Sequence, residues 1–272
     1  MNAHDSAALM GRIDMIEYLT KNKVFTIGSN DMYHSAIKGG HLHVIDYLLK
    51  NPAYRQHLKK DVSLHGDNLI DIAVRENQLE IIEMLFDNGI KKHSQFILDE
   101  IVKTGNLQMM QWFHKNTNGK STTESMDLAA SNGDIKMVQW LHENTTVGCT
   151  TWAIDNSAKN GYLNVISYLH LNRTESCTKK AMDYASMNNH FDIVKWLHFN
   201  RTEGCSSLAL TYSINNGSLE MSNHATMIEW LLKSLEIPIE KAKITYQSVI
   251  DKYHLFPNST ESINVLNRHI SQ

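Results

Sequence analysis

A ten-residue segment of this chain recurs at fixed spacing, and that recurrence constrains the fold more than any other feature. Gly133-Asp134-Ile135-Lys136-Met137-Val138-Gln139-Trp140-Leu141-His142 returns as Gly161-Tyr162-Leu163-Asn164-Val165-Ile166-Ser167-Tyr168-Leu169-His170. It returns again from Asn189 to His198, and an earlier copy runs from Gly105 to His114, each step being 28 residues. Asn77 and Gly217 extend the same register, and two further copies open at Gly40 and Gly11. The register slips by several residues at two places, so insertions are expected near 51–67 and 221–225. Self-similarity at a period of this size marks a stack of supersecondary units, none of which buries its apolar face alone.

Within one unit the pattern reads as helix, turn, helix, loop. Met126, Ala129 and Ala130 share one helical face, and Asn132-Gly133 ends that helix because both residues tolerate a left-handed backbone. The second helix places Ile135, Val138, Trp140 and Leu141 inward and Lys136, Gln139 and Glu143 outward. Asn144 stops it, and a polar loop leads to Thr150 or Thr151, which caps the next helix. Helices this short are marginal in isolation, so stacking must supply their stability. The row Tyr18, Tyr47, Trp112, Trp140, Tyr168, Trp196 and Trp230 is expected to be part of the stacked core, with Trp140 as one of its buried members.

Met126-Asp127-Leu128-Ala129-Ala130-Ser131-Asn132-Gly133-Asp134-Ile135-Lys136-Met137-Val138-Gln139-Trp140-Leu141 resembles the L-H-L-A-A-x-x-G-H-L-x-x-V-x-x-L core of the ankyrin repeat family. Ala181-Met182-Asp183-Tyr184-Ala185 and Ala153-Ile154-Asp155-Asn156-Ser157-Ala158 match more loosely. The resemblance implies an all-α, ankyrin-like solenoid of about eight helix-turn-helix repeats. The family's usual repeat is about 33 residues. The shortening falls in the loop, so reduced or absent β-hairpin fingers are expected. Aspartate stands where the family has histidine, the T-P-L-H opening is missing, and short arrays ending in W-L-H resemble repeat families expanded in protists. The array is expected over 1–236, followed by a C-terminal helical cap or tail over 237–272, with helices over Glu240–His254 and Ser259–Ile270. Met1 leads almost directly into the first repeat.

Several recurring residues suggest chemistry and have simpler explanations. His114, His142, His170 and His198 form a row that invites a metal, but neighbouring helices stand about 8–10 Å apart and no carboxylate or cysteine completes a ligand set. They read as residues near helix C-termini, where a protonated imidazole is favoured. Cys149, Cys177 and Cys205 are too far apart for disulfides, which need Cα atoms about 4.4–6.8 Å apart, and read as small buried loop residues. Asn144, Asn172 and Asn200 open N-x-[ST] triplets, but as helix stops followed by polar loops. Asp5, Asp71, Asp99, Asp127, Asp155 and Asp183 each stand six residues before the turn, with His34 and Thr211 in the other copies. They are expected to accept hydrogen bonds from loop amides of the following repeat, the alternative being a row for a basic partner or cations.

No phosphate-cradling, nucleophile-elbow or paired-cysteine motif occurs, so no catalytic residue, cofactor or metal is expected. A net charge of -3 supplies no basic field for nucleic acid or an anionic membrane, and no long apolar run suggests a spanning helix. Three cysteines and no secretory leader suit a cytoplasmic or nuclear setting. The remaining expectation is a monomeric scaffold or adaptor binding another protein along the inner-helix and loop face. The alternative is a regulatory or substrate-recognition module of a larger protein, such as a degradation adaptor. Positions just before the turn are candidates for partner contact: Lys38, Arg75, Lys103, Ser131, Lys159 and Met187. Their basic members point to a partner with an acidic surface. Trp152, at a helix start, is a candidate anchor.

Overall fold

A computed structural model describes residues 2–22, 31–58, 68–216 and 222–234, together with Ile244. The chain forms two compact units, Met1–Thr122 and Thr123–Gln272. Among the described residues there are seventeen helices and no strand, so the hairpin fingers are indeed missing there. The first unit carries α1 (Ala3–Leu9), α2 (Ile13–Lys21), α3 (Asp31–Lys38), α4 (Leu42–Lys50), α5 (Pro52–Leu58), α6 (Leu69–Arg75), α7 (Leu79–Asp87), α8 (Ile97–Thr104) and α9 (Leu107–Asn116). The second carries α10 (Thr123–Ser131), α11 (Ile135–Asn144), α12 (Thr151–Asn160), α13 (Leu163–Asn172), α14 (Lys179–Met187), α15 (Phe191–Asn200), α16 (Ser207–Asn216) and α17 (Ser222–Ser234). The insertion near 51–67 is helical at its start. There α5 brings Tyr54 against Thr20, hydroxyl to hydroxyl at 2.8 Å. The segment 237–272, apart from Ile244, lies outside the described residues, as do the side chains of the insertion at 221–225.

In each unit the first helices of successive repeats pack against one another, α10 on α12, α12 on α14 and α14 on α16, while each second helix packs on its own first helix. Buried positions repeat with the sequence. The first helices contribute Met126, Ala129 and Ala130 or Met182 and Ala185, and the second helices contribute Met137, Val138 and Leu141 or Ile193, Val194 and Leu197. Small residues at the first-helix interface let the backbones approach, and the Ser157 hydroxyl sits between the Ala153 carbonyl of its own helix at 2.6 Å and the Ala130 carbonyl of the preceding first helix at 2.9 Å.

The turn between the helices is a left-handed reversal. The Gly133 amide donates to the Ala130 carbonyl and the Asp134 amide to the Ala129 carbonyl, both at 3.0 Å, a pairing that satisfies the last carbonyls of α10. Gly133 has φ 72°, and a Cβ there would stand 2.6 Å from the Tyr162 ring of the following repeat. Asn77 and Asn189 adopt the same backbone at φ 57° and 60° without glycine.

The aromatic row is not the core. Trp112, Trp140, Tyr168, Trp196 and Trp230 are half-buried, as is Tyr47, and Tyr18 is 62% exposed. Successive helical residues are about 100° apart, so once Leu141 and Val138 point at the first helix, Trp140 is carried to the edge of the interface. There the rings stack with histidines of the neighbouring repeat: His142 meets Tyr168 edge-on at 5.9 Å, and His170 meets Trp196 at 5.2 Å.

Candidate functional site

The second unit is built around a latch that repeats with the sequence. Asp127 accepts from the Thr150 amide at 2.8 Å and from its hydroxyl at 2.6 Å. Asp155 does the same with Thr178, at 2.8 and 2.7 Å, and Asp183 with Ser206, at 2.8 and 2.6 Å. In the first unit Asp99 holds Thr122 by both groups and Asp71 holds the Ser94 amide. These five carboxylates are thus occupied by the loop of the next repeat, as their sequence position suggests, whereas Asp5 instead accepts the Asn2 amide at the start of its own helix at 2.9 Å. The hydroxyl also accepts: Thr150 Oγ1 receives the Trp152 amide at 3.1 Å, and Thr178 Oγ1 the Lys180 amide at 3.1 Å. Donating in one direction and accepting in the other, each hydroxyl fixes the start of the following first helix and the side chain two positions on. Burial raises the Asp155 carboxyl from its ordinary value, against the lowering effect of the Thr178 amide and hydroxyl.

A second latch closes the other end of the loop. Arg173 is paired with Glu175 and Arg201 with Glu203, and the Arg173 guanidinium lies 3.4 Å from Nδ1 of His142. Glu175 also accepts the Cys149 amide at 3.2 Å. The Arg173 hydrogen bond dominates the Glu175 carboxyl and, against burial, holds it down at about 2. A depressed folded value means stability that is present above the ordinary carboxylate range and is lost as pH falls through the folded value. We therefore expect Glu175→Gln to lower the unfolding midpoint at neutral pH. That difference should shrink between about pH 4.5 and pH 2, as denaturant melts across that window will read.

Burial pushes the Cys149 thiol up to about 12 and the Cys177 thiol to about 11, which keeps both as unreactive thiols. Cys205 is only half-buried, less enclosed than its spacing suggests. Asn144, Asn172 and Asn200 each donate from the side-chain amide to the carbonyl four residues back, at 2.8–2.9 Å, in keeping with helix stops. Among the described residues no group of three His, Cys, Asp or Glu side chains is placed to hold a metal ion, and no helix is long and apolar enough to cross a membrane.

With the carboxylates and loops occupied, the solvent-facing sides of the helices remain, and the residues picked from sequence stand on those of the first helices. Residues i, i+4 and i+7 share a helical face, and the second unit shows such a stripe on each stacked helix. It comprises Glu124, Leu128 and Ser131 on α10, Trp152, Asn156 and Lys159 on α12, and Lys180, Tyr184 and Met187 on α14, all exposed or half-buried. Four of the residues picked from sequence, Ser131, Trp152, Lys159 and Met187, stand on this stripe. Trp152 is 67% exposed, and Lys159 Nζ lies 5.8 Å from the Tyr184 ring. Ser131 and Lys159 also take part in stacking through their carbonyls, which accept from Asn160 at 2.8 Å and Asn188 at 2.7 Å. Sequence reading passes over Lys180 and Tyr184, although both follow from the i, i+4, i+7 spacing that ends on Met187.

The first unit carries Lys38, Arg75 and Lys103, all exposed. Lys103 is paired with Glu100 at 2.7 Å, and Arg75 Nε donates to the Asp71 carbonyl at 3.3 Å. The basic row is therefore less free there than its spacing implies.

The family model described as ankyrin repeats (3 copies) matches residues 3–96 and 126–207, more than half of the chain. No curated protein matches it. Paired short helices, first-helix stacking within each unit, and the left-handed turn at Gly11, Gly40, Asn77, Gly105, Gly133, Gly161 and Asn189 agree with that match. The chain belongs to the ankyrin repeat family.

Proposed function

We propose that the protein is a non-catalytic scaffold or adaptor that holds a partner protein along the first-helix face of its second unit. Ankyrin repeats in general are protein–protein interaction modules, and the family is generally non-catalytic. The observation that carries the reading is Trp152. A large aromatic side chain is left two-thirds exposed at a helix start that the Asp127–Thr150 latch holds rigid. Aromatic anchors on pre-positioned backbone are the usual centres of binding energy. The working form is a monomer in the cytoplasm or nucleus.

The test is affinity capture with the full chain, comparing wild type with Trp152→Ala. This exposed substitution should leave the stability within about 0.5 kcal/mol, and a saturable partner should be lost. Recovery of the same partners in the same amounts by both proteins would contradict the assignment to this face.

A further inference from the structure

The charges of the second unit are distributed unevenly between its faces. On the second helices and loops most of them are neutralised in place, Lys195 with Asp192 at 3.0 Å, Lys233 with Glu229 at 2.8 Å, Arg173 with Glu175 and Arg201 with Glu203, while the exposed charges of α11, Lys136 and Glu143, are of opposite sign. The first helices α12 and α14 differ. Their carboxylates are Asp155 and Asp183, both buried and each holding two hydrogen bonds from the next loop. Their exposed charges are Lys159, Lys179 and Lys180, none of them in an ion pair among the described residues. Two helices of a chain with net charge -3 thus present only positive charge to solvent, beside Trp152 and the Tyr184 ring.

We infer that the stripe Trp152, Lys159, Lys180 and Tyr184 binds an acidic peptide segment of a partner protein that also carries an aromatic or aliphatic side chain. The inference rests on the protein-binding reading and names the partner's chemistry. Carboxylates of the segment meet Lys159 and Lys180, which stand on adjacent helices, and the apolar side chain packs on Trp152. Complementary charge sets partner choice and encounter rate while the aromatic contact holds the complex. Nucleic acid fits less well. Binding to a phosphate backbone draws on many Lys and Arg contacts, and the chain's net charge of -3 is unfavourable for that.

A random peptide library displayed against the full chain tests this directly. Enrichment of acidic peptides with an apolar residue is the expected result. Their affinity should fall at least about tenfold in Lys159→Glu/Lys180→Glu, and should fall between about 0.01 M and 1 M salt in the wild type. Lys136→Glu, on the second helix α11, serves as the folded control and should bind normally. Enrichment of basic or neutral peptides overturns the inference and leaves the protein-binding reading in place. Acidic peptides that bind the double variant as well as wild type also overturn it, as does tighter binding of a single-stranded oligothymidylate. Failure to enrich any peptide counts against both.

Discussion

Leu141→Ala is expected to cost about 2–5 kcal/mol, as truncation of a buried leucine does. The same change at its neighbour, Trp140→Ala, should cost no more than about 2 kcal/mol, well short of the 3–5 kcal/mol of a fully buried tryptophan. Leu141 is 1% exposed between α11 and the first helix of its own repeat, whereas Trp140 sits at the edge with part of its ring in water. The larger residue is thus the lesser contributor. Urea melts of both variants measure the contrast, and equal losses would mean that the aromatic row carries the stack after all.

Asp155→Ala should be a strongly damaging polar substitution in the second unit. It removes the acceptor of the Thr178 amide and hydroxyl together. Hydrogen bonds to a charged acceptor contribute about 1.5–3 kcal/mol each. Ionising a buried carboxyl already costs something, as the raised Asp155 value indicates, so a net loss of roughly 2–4 kcal/mol is expected. Asp155→Asn keeps one carbonyl oxygen for the amide and should lose less. Since Thr178 also receives the Lys180 amide, the alanine variant should further loosen the start of α14, visible as faster amide exchange there. Identical stabilities for the asparagine and alanine variants would show that the carboxylate is not the element holding the loop.

The fold was legible because its signal is a count: a segment that returns every 28 residues leaves little choice but a stack of helix pairs. The aspartate row was legible for a similar reason, since a carboxylate six residues before most of the turns needs donors and the next loop offers amides. What spacing could not supply was the hydroxyl partner 23 residues on, which appears only when the loop folds back beside the preceding helix. The error over Trp140 has a geometric cause. Positions 140 and 141 are both apolar in most copies, and one residue of helical rotation decides which meets the core. The candidate face was half visible. Its turn-proximal residues, Ser131, Lys159 and Met187, follow from position alone. Lys180 and Tyr184 become part of it only when α12 and α14 lie side by side and the intervening carboxylates are seen to be buried. Lys103 shows the converse, a charge whose partner Glu100 stands three residues earlier on the same helix.

In the proposed function, partner contact falls on the first helices while the second helices and latched loops hold the unit together. Hydrogen–deuterium exchange of the full chain, free and saturated with a peptide selected on it, tests this most directly. Added protection is expected over α12 and α14, spreading from the amides near Trp152 and Lys180. Protection confined to α11, α13 and α15 would contradict it.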